Sequence, residues 1–241
     1  MPYQKILRTA ESYFLLKQEP EIVEKYSRYF KPGEYDAYGI RKADILLLAA
    51  QIETDYPELG MAKLLKLCLM FYKHGKHEMG TLANYLLERR QQDFLPKHFS
   101  GFKKLFDEGV KNWEHADQLC MHTLPRFITH KLLPYTEFQS WIEAESRWTR
   151  RAAPVCMIKI KKTTPLPELL SFTEPLLIDR ERVVQQGMGW FMRELWWIYP
   201  AQIEDYLYLH RNTAARTIIQ YATERLSKEE RLRFRKDKSA K

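Results

Sequence analysis

The sequence predicts an all-α protein, and three observations predict it. Apolar residues recur at spacings of three and four along almost the whole chain, the period of a helix that buries one face. Only nine glycines occur in 241 residues, too few for an architecture of many tight β-turns. The prolines fall where helices begin. Pro20, Pro57, Pro96, Pro134, Pro165 and Pro200 each stand near the start of a periodic segment, where a missing N–H removes no intrahelical bond.

Taken in order, Ile45, Leu48, Ala49 and Ile52 mark one apolar stripe. Leu64, Leu65, Leu67, Cys68 and Phe71 mark the next, followed by Leu82, Tyr85 and Leu86. Pro125 and Pro154 lie inside helical patterns and are expected to kink or end them. Met157 to Lys162 alternates like a strand but has no evident partner, and reads as the end of a helix. Helices of roughly ten to eighteen residues with short connections predict stacked hairpins. Two segments, Arg147-Trp-Thr-Arg-Arg-Ala-Ala and Arg182-Val-Val-Gln-Gln-Gly-Met, echo each other 35 positions apart, and Trp113 lies another 35 before Trp148. A repeat of that length predicts a HEAT-like or ARM-like helical repeat solenoid. It is expected as a single domain over residues 1–226, with one helix of each pair lining a concave basic groove. The charged stretch 227–241 is expected to form a mobile basic tail.

Lys and Arg number 39 against 31 Asp and Glu, a net charge of +8. Such an excess favours polyanionic partners and is silent about fold. Basic residues recur at Arg41 and Lys42, at Arg147, Arg150 and Arg151, at Arg182 and Arg193, and at Arg211 and Arg216. On parallel inner helices they form a stripe suited to phosphate. Arginine clustered with tryptophan favours that use over an ordinary solvated face. Cys68, Cys120 and Cys156 are odd in number and isolated, which argues for a reducing compartment and against a disulfide framework. No apolar run approaches the length of a bilayer span, and the N-terminus has no signal core. A cytoplasmic location is expected, with no membrane partner. The seven histidines complete no zinc set with Cys or carboxylates, so neither a metal nor another cofactor is expected.

Three constellations could carry chemistry. Trp113 and Asp117 stand four apart, which on a helix puts an indole and a carboxylate on one face. For an unselected Trp–Asp pair, core packing and capping are the commoner use. In Trp148-Thr149-Arg150-Arg151-Ala152-Ala153 the alanines admit a neighbouring helix while the arginines reach outward; a packing seam with surface arginines is equally natural. Gly187-Met188-Gly189-Trp190, followed by Arg193, places two glycines in a helix at a cost of about 1 kcal/mol each. That implies close approach by a neighbouring helix or by a ligand. No strand precedes these glycines, so they form no dinucleotide fingerprint. Trp196 and Trp197 continue the helix and read as core.

Together these motifs resemble the AlkD-like bacterial DNA alkylation repair glycosylases, which are HEAT-like helical proteins. The resemblance runs through Ser27-Arg28-Tyr29-Phe30-Lys31 and Tyr38-Gly39-Ile40, then Asn112-Trp113-Glu114-His115-Ala116-Asp117. It continues through Trp148 to Ala153 and ends on Gly189-Trp190-Phe191-Met192-Arg193-Glu194. It implies that Trp113 and Trp190 are the sugar-contacting indoles, Asp117 the catalytic carboxylate, Arg151 the phosphate-holding arginine and Tyr29 an aromatic at the groove wall. Arg147, Arg150 and Arg193 are expected to assist in DNA binding. Glu114 and His115 depart from the family pattern, where Asp and an apolar residue are usual.

The function implied is monofunctional excision of cationic N3- or N7-alkylpurines from double-stranded DNA, by a monomer, leaving an abasic site. No lyase lysine is evident, so strand cleavage is not expected. The alternative is a non-catalytic HEAT-like repeat protein that binds damaged or branched DNA through charge. A protein-binding scaffold of the same fold is a weaker third reading.

Overall fold

In the computed structural model, which describes residues 2–237, every regular element is helical. The all-α expectation holds for the physical reason that predicted it: each periodic stripe is a buried helix face. The expected single domain is built as two compact units, Met1–Phe127 and Ile128–Lys241.

The first unit contains α1 (Tyr3–Lys17), α2 (Pro20–Ser27), α3 (Lys42–Asp55), α4 (Met61–His74), α5 (His77–Arg89), α6 (Phe99–Glu108) and α7 (Trp113–Gln118), and ends within α8 (Pro125–Thr129). α4 buries Leu64, Leu67, Cys68 and Phe71 and stops at Gly75, whose φ of +97° gives a left-handed C-cap. The chain then reverses into α5, which packs against both α3 and α4. Between α2 and α3 the backbone is irregular, and the buried Glu78 on α5 fixes it. Its carboxylate accepts the N–H groups of Tyr38, Gly39 and Ile40 at 2.9, 2.7 and 3.2 Å. Gly39 has φ +80°, and a Cβ there would lie 2.1 Å from the Glu19 carbonyl oxygen. A turn of π-helix, Leu119–Thr123, follows α7. It stops at Thr123, just before Pro125, as expected where a residue without an N–H ends a helical pattern, and Pro125 opens the next helix.

The second unit contains α9 (Gln139–Ile142), α10 (Arg147–Met157), α11 (Leu166–Thr173), α12 (Arg182–Trp196), α13 (Pro200–Leu209) and α14 (Arg216–Ala222). α10 continues past Pro154 to Met157 and tightens into a 3₁₀ turn at Ile158–Ile160. The alternating stretch is therefore a helix end, as read from the sequence. α12 lies between α10 and α14, and its glycines make that possible. A Cβ on Gly187 would meet Arg151 Cγ at 2.9 Å, and one on Gly189 would meet Tyr221 Cβ at 2.5 Å and the Ile218 carbonyl oxygen at 2.9 Å. The close approach that these glycines imply is by neighbouring helices. α7, α10 and α12 begin at Trp113, Arg147 and Arg182, the positions that the 35-residue echo marks.

Two expectations are corrected. Trp197 is exposed and Trp196 half-buried, because Trp196 turns its indole N–H to Glu204 at 2.9 Å. Residues 227–237, expected as a mobile tail, fold back onto the second unit, while 238–241 lie outside the described residues. A 3₁₀ turn, Glu230–Phe234, buries Phe234 completely. Arg216 donates to the Phe234 carbonyl at 3.0 Å. Arg211 and Asn212 both bond Asp237 at 2.8 Å. One aromatic anchor and these ties outweigh the mutual repulsion of the basic residues.

Candidate functional site

In the first unit, the candidate pair sits on a helix whose start is closely specified. Asn112 caps α7: its side-chain oxygen accepts the His115 N–H at 2.9 Å. Its amide nitrogen donates to His115 Nδ1 at 3.0 Å. That bond requires His115 to carry its proton on Nε2, which lies 2.9 Å from the His77 carbonyl oxygen at the start of α5. His115 is buried, and burial, with the neighbouring His77 adding, holds its pKa well below the usual histidine range. A neutral imidazole thus links α7 to α5. Gly80 leaves room for it, since a Cβ there would lie 2.3 Å from the ring. The departure from the family pattern at position 115 is a polar lock.

Trp113 opens α7 with its indole 40% exposed. It stacks on Phe30, with ring centroids 5.6 Å apart and planes inclined by 24°. Phe30 in turn stacks on Tyr35 at 4.7 Å. The indole is thus braced by aromatic contact while the residue stays partly exposed. Asp117 follows one helical turn later and is half-buried. Tyr29, adjacent to Phe30, is exposed; Arg28 donates to its hydroxyl at 3.0 Å and lies over its ring. Glu114 accepts from His77 Nε2 at 3.1 Å. Beside this ladder a cleft of about 220 Å³ is lined by Tyr26, Tyr35, Tyr85, Lys42, His77 and Glu114, among others. Burial beside Glu78 and Glu114 pushes the Tyr35 hydroxyl far above its ordinary pKa.

In the second unit, α10 and α12 carry the remaining candidates. Ser146 caps α10 through the Thr149 N–H at 3.4 Å. Arg147 is exposed, stacked over Trp148 at 5.3 Å and 3.6 Å from Glu181. The other two arginines do not reach outward as the sequence reading expects. Arg150 is half-buried and bonds Asp179 at 2.6 Å and the carbonyls of Ala144 and Glu145 at 2.7 and 2.8 Å. Arg151 is only 6% exposed and donates to the Val183 carbonyl at 2.5 Å, running beneath Gly187 of α12. The reason is the glycine: a helix without a side chain at that point comes close enough to cover an arginine stem. Trp190 is half-buried on α12. Arg193, one turn further, is ion-paired with Glu224.

Sequence reasoning missed Phe30, which supports the indole, and the His77–Glu114 pair. Phe30 was visible beside Tyr29 in the same motif, but nothing local says that it meets a residue more than eighty positions away.

The sequence model of the DNA alkylation repair enzyme family matches residues 11–226. A solved structure described as a predicted DNA alkylation repair enzyme from Enterococcus faecalis superposes with a TM-score of 0.73. It is 19% identical, and the match covers 88% of this chain and 98% of that one. At that identity the likeness is one of fold. No curated protein matches the chain. The motifs that resemble the family are thus joined by a match along most of the chain's length, and the protein belongs to the DNA alkylation repair enzyme family.

Proposed function

We propose that the protein is a monofunctional DNA glycosylase that hydrolyses the N-glycosidic bond of cationic N3- or N7-alkylpurines. The observation that carries this reading is Trp113: a half-exposed indole, braced by Phe30, one turn before Asp117 on a helix whose start is locked.

An alkylated purine with a formal positive charge leaves as a neutral base, taking the bonding electron pair with it. No proton needs to be given to the leaving group. The demand falls on the deoxyribose, where positive charge grows at C1′ as in other glycosyl transfers. An ionised Asp117 stabilises that charge and orients the water whose oxygen bonds to C1′. The water gives up one proton, and an abasic sugar remains. The Trp113 face favours the developing cation by about 0.5–2 kcal/mol where water is excluded, and Trp190 is proposed to act in the same way. Neutral purines are rejected because their glycosidic bond is too strong for such modest assistance.

The structure supports different work for each arginine. Arg147, exposed beside Trp148, is suited to a backbone phosphate. Arg151, covered by α12, is better suited to fix the helix that carries Trp190. Arg150 and Arg193 already have carboxylate partners, and Tyr29 is available at the surface.

Purified protein incubated with alkylated duplex should release 3-methyladenine or 7-methylguanine, detected by chromatography. Asp117→Asn should slow single-turnover release by on the order of 10²-fold or more, with duplex affinity nearly unchanged. Trp113→Ala should reduce rate more than affinity. Undiminished release by Asp117→Asn removes the carboxylate from the mechanism. Duplex binding without any base release leaves the non-catalytic DNA-binding reading in its place.

A further inference from the structure

The charge that the sequence assigns to DNA binding is largely spoken for in the second unit, while an unassigned cluster of cations lies elsewhere in it. Arg150, Arg193 and Arg211 face Asp179, Glu224 and Asp237. Where residues 227–237 fold back against α14, they border an open surface hollow of about 500 Å³. Its walls carry Arg216, Lys228, Arg231 and Arg235 against a single carboxylate, Glu229. Among the described residues, Lys228, Arg231 and Arg235 make no ion pair.

The hollow is held in shape by the surrounding structure. Phe234 is completely buried between Arg233 and Arg235, and its carbonyl accepts from Arg216. Ser227 and Glu230 cap each other's backbone, at 2.8 Å from the Ser227 N–H to Glu230 and at 3.2 Å from the Glu230 N–H to Ser227. Arg231 donates to the Ser227 carbonyl at 3.3 Å. Like charges brought together in this way repel one another unless an anion joins them. Guanidinium forks match the oxygens of phosphate and of carboxylate alike, and DNA, the partner of this family, offers phosphate.

We propose that this C-terminal hollow is a phosphate-binding site for the DNA backbone, built from residues other than those proposed to act on the sugar. The proposal rests on DNA as the partner of this family, and not on the glycosylase chemistry. A folded pocket reads one phosphate at a fixed place, whereas a loose basic tail spreads its attraction over many.

The test is a binding titration of the full chain against a short duplex carrying one alkylated purine. A methylphosphonate, which removes one backbone charge, is walked along each strand, and the wild type is compared with Lys228→Gln/Arg235→Gln. One backbone position is expected where the neutral linkage weakens the wild type several-fold and the double variant hardly at all. The slope of log affinity against log salt should be shallower by about one in the variant. Base release at saturating protein should be the same in both, so absence of glycosylase activity leaves this readout intact. Equal affinity and slope for the two proteins, or a loss spread evenly over all positions, overturns the site. So does unchanged DNA binding with a loss of binding to phosphatidylserine vesicles, which would assign the pocket to a lipid headgroup. Thermal melting checks that Phe234 stays docked; if the double variant melts early, Lys228→Gln alone serves the same comparison.

Discussion

Arg151 shows most clearly how a single residue's work depends on its surroundings. In sequence it is one of three arginines in a short helix; in the folded unit it lies under Gly187 and bonds a carbonyl of α12. Arg151→Ala should therefore cost about 2–4 kcal/mol in chemical denaturation, from the cavity and from the lost charge-assisted bond to the Val183 carbonyl. A purely surface arginine would cost less than about 0.5 kcal/mol, and that result would return Arg151 to a direct phosphate role. Trp113 and Asp117 were legible as a pair because a spacing of four on a helix is a local fact. The exposure of Arg151 was not, since it depends on the absence of a side chain 36 positions away in sequence.

At the scale of elements, the start of α7 and the irregular segment before α3 are each tied to α5 through buried polar groups, His115 and Glu78 foremost. Glu78 receives three backbone N–H groups, and an amide in its place would turn an N–H₂ toward donors. Glu78→Gln should destabilise the first unit by about 2–4 kcal/mol. It should also loosen Phe30 from Trp113, measurable as faster hydrogen exchange over residues 28–41.

His115 supplies a pH dependence. Its folded pKa lies below the unfolded value of about 6.5, so the unfolded chain binds the proton more readily. Stability is complete above about pH 6.5 and falls as the pH drops below it. His98, whose pKa burial also lowers, acts in the same direction. In His115→Gln, whose amide can both accept and donate, the slope of stability against pH should flatten by one proton. An unchanged slope would mean that His115 is not the group that titrates. The helices themselves were legible from period and proline, but these ties were not, because Glu78 and His115 look like ordinary helix residues until the backbone they face is known.

For the whole molecule, the net charge of +8 sets how strongly it is drawn to DNA and carries no information about the lesion. Raising salt from about 50 to 200 mM should weaken binding to alkylated and unmodified duplex by the same factor. The single-turnover rate at saturating protein should stay constant. A rate that falls with salt at saturation would place mobile charge in the chemical step instead. Much of the arginine charge is neutralised by neighbouring carboxylates, so the salt slope should be well below what a count of arginines suggests.

The sequence by itself determined the helical class, many of the places where helices start and the placing of Trp113 and Asp117 one turn apart on one helix. All of these follow from interactions within a few residues of one another. The tertiary structure alone decided that Phe30 braces the indole, that Arg150 and Arg151 turn inward, and that residues 227–237 fold back over α14. Each of those outcomes depends on which helix faces which, at what distance. That choice is made by burial across the whole unit, and no window of the chain contains it.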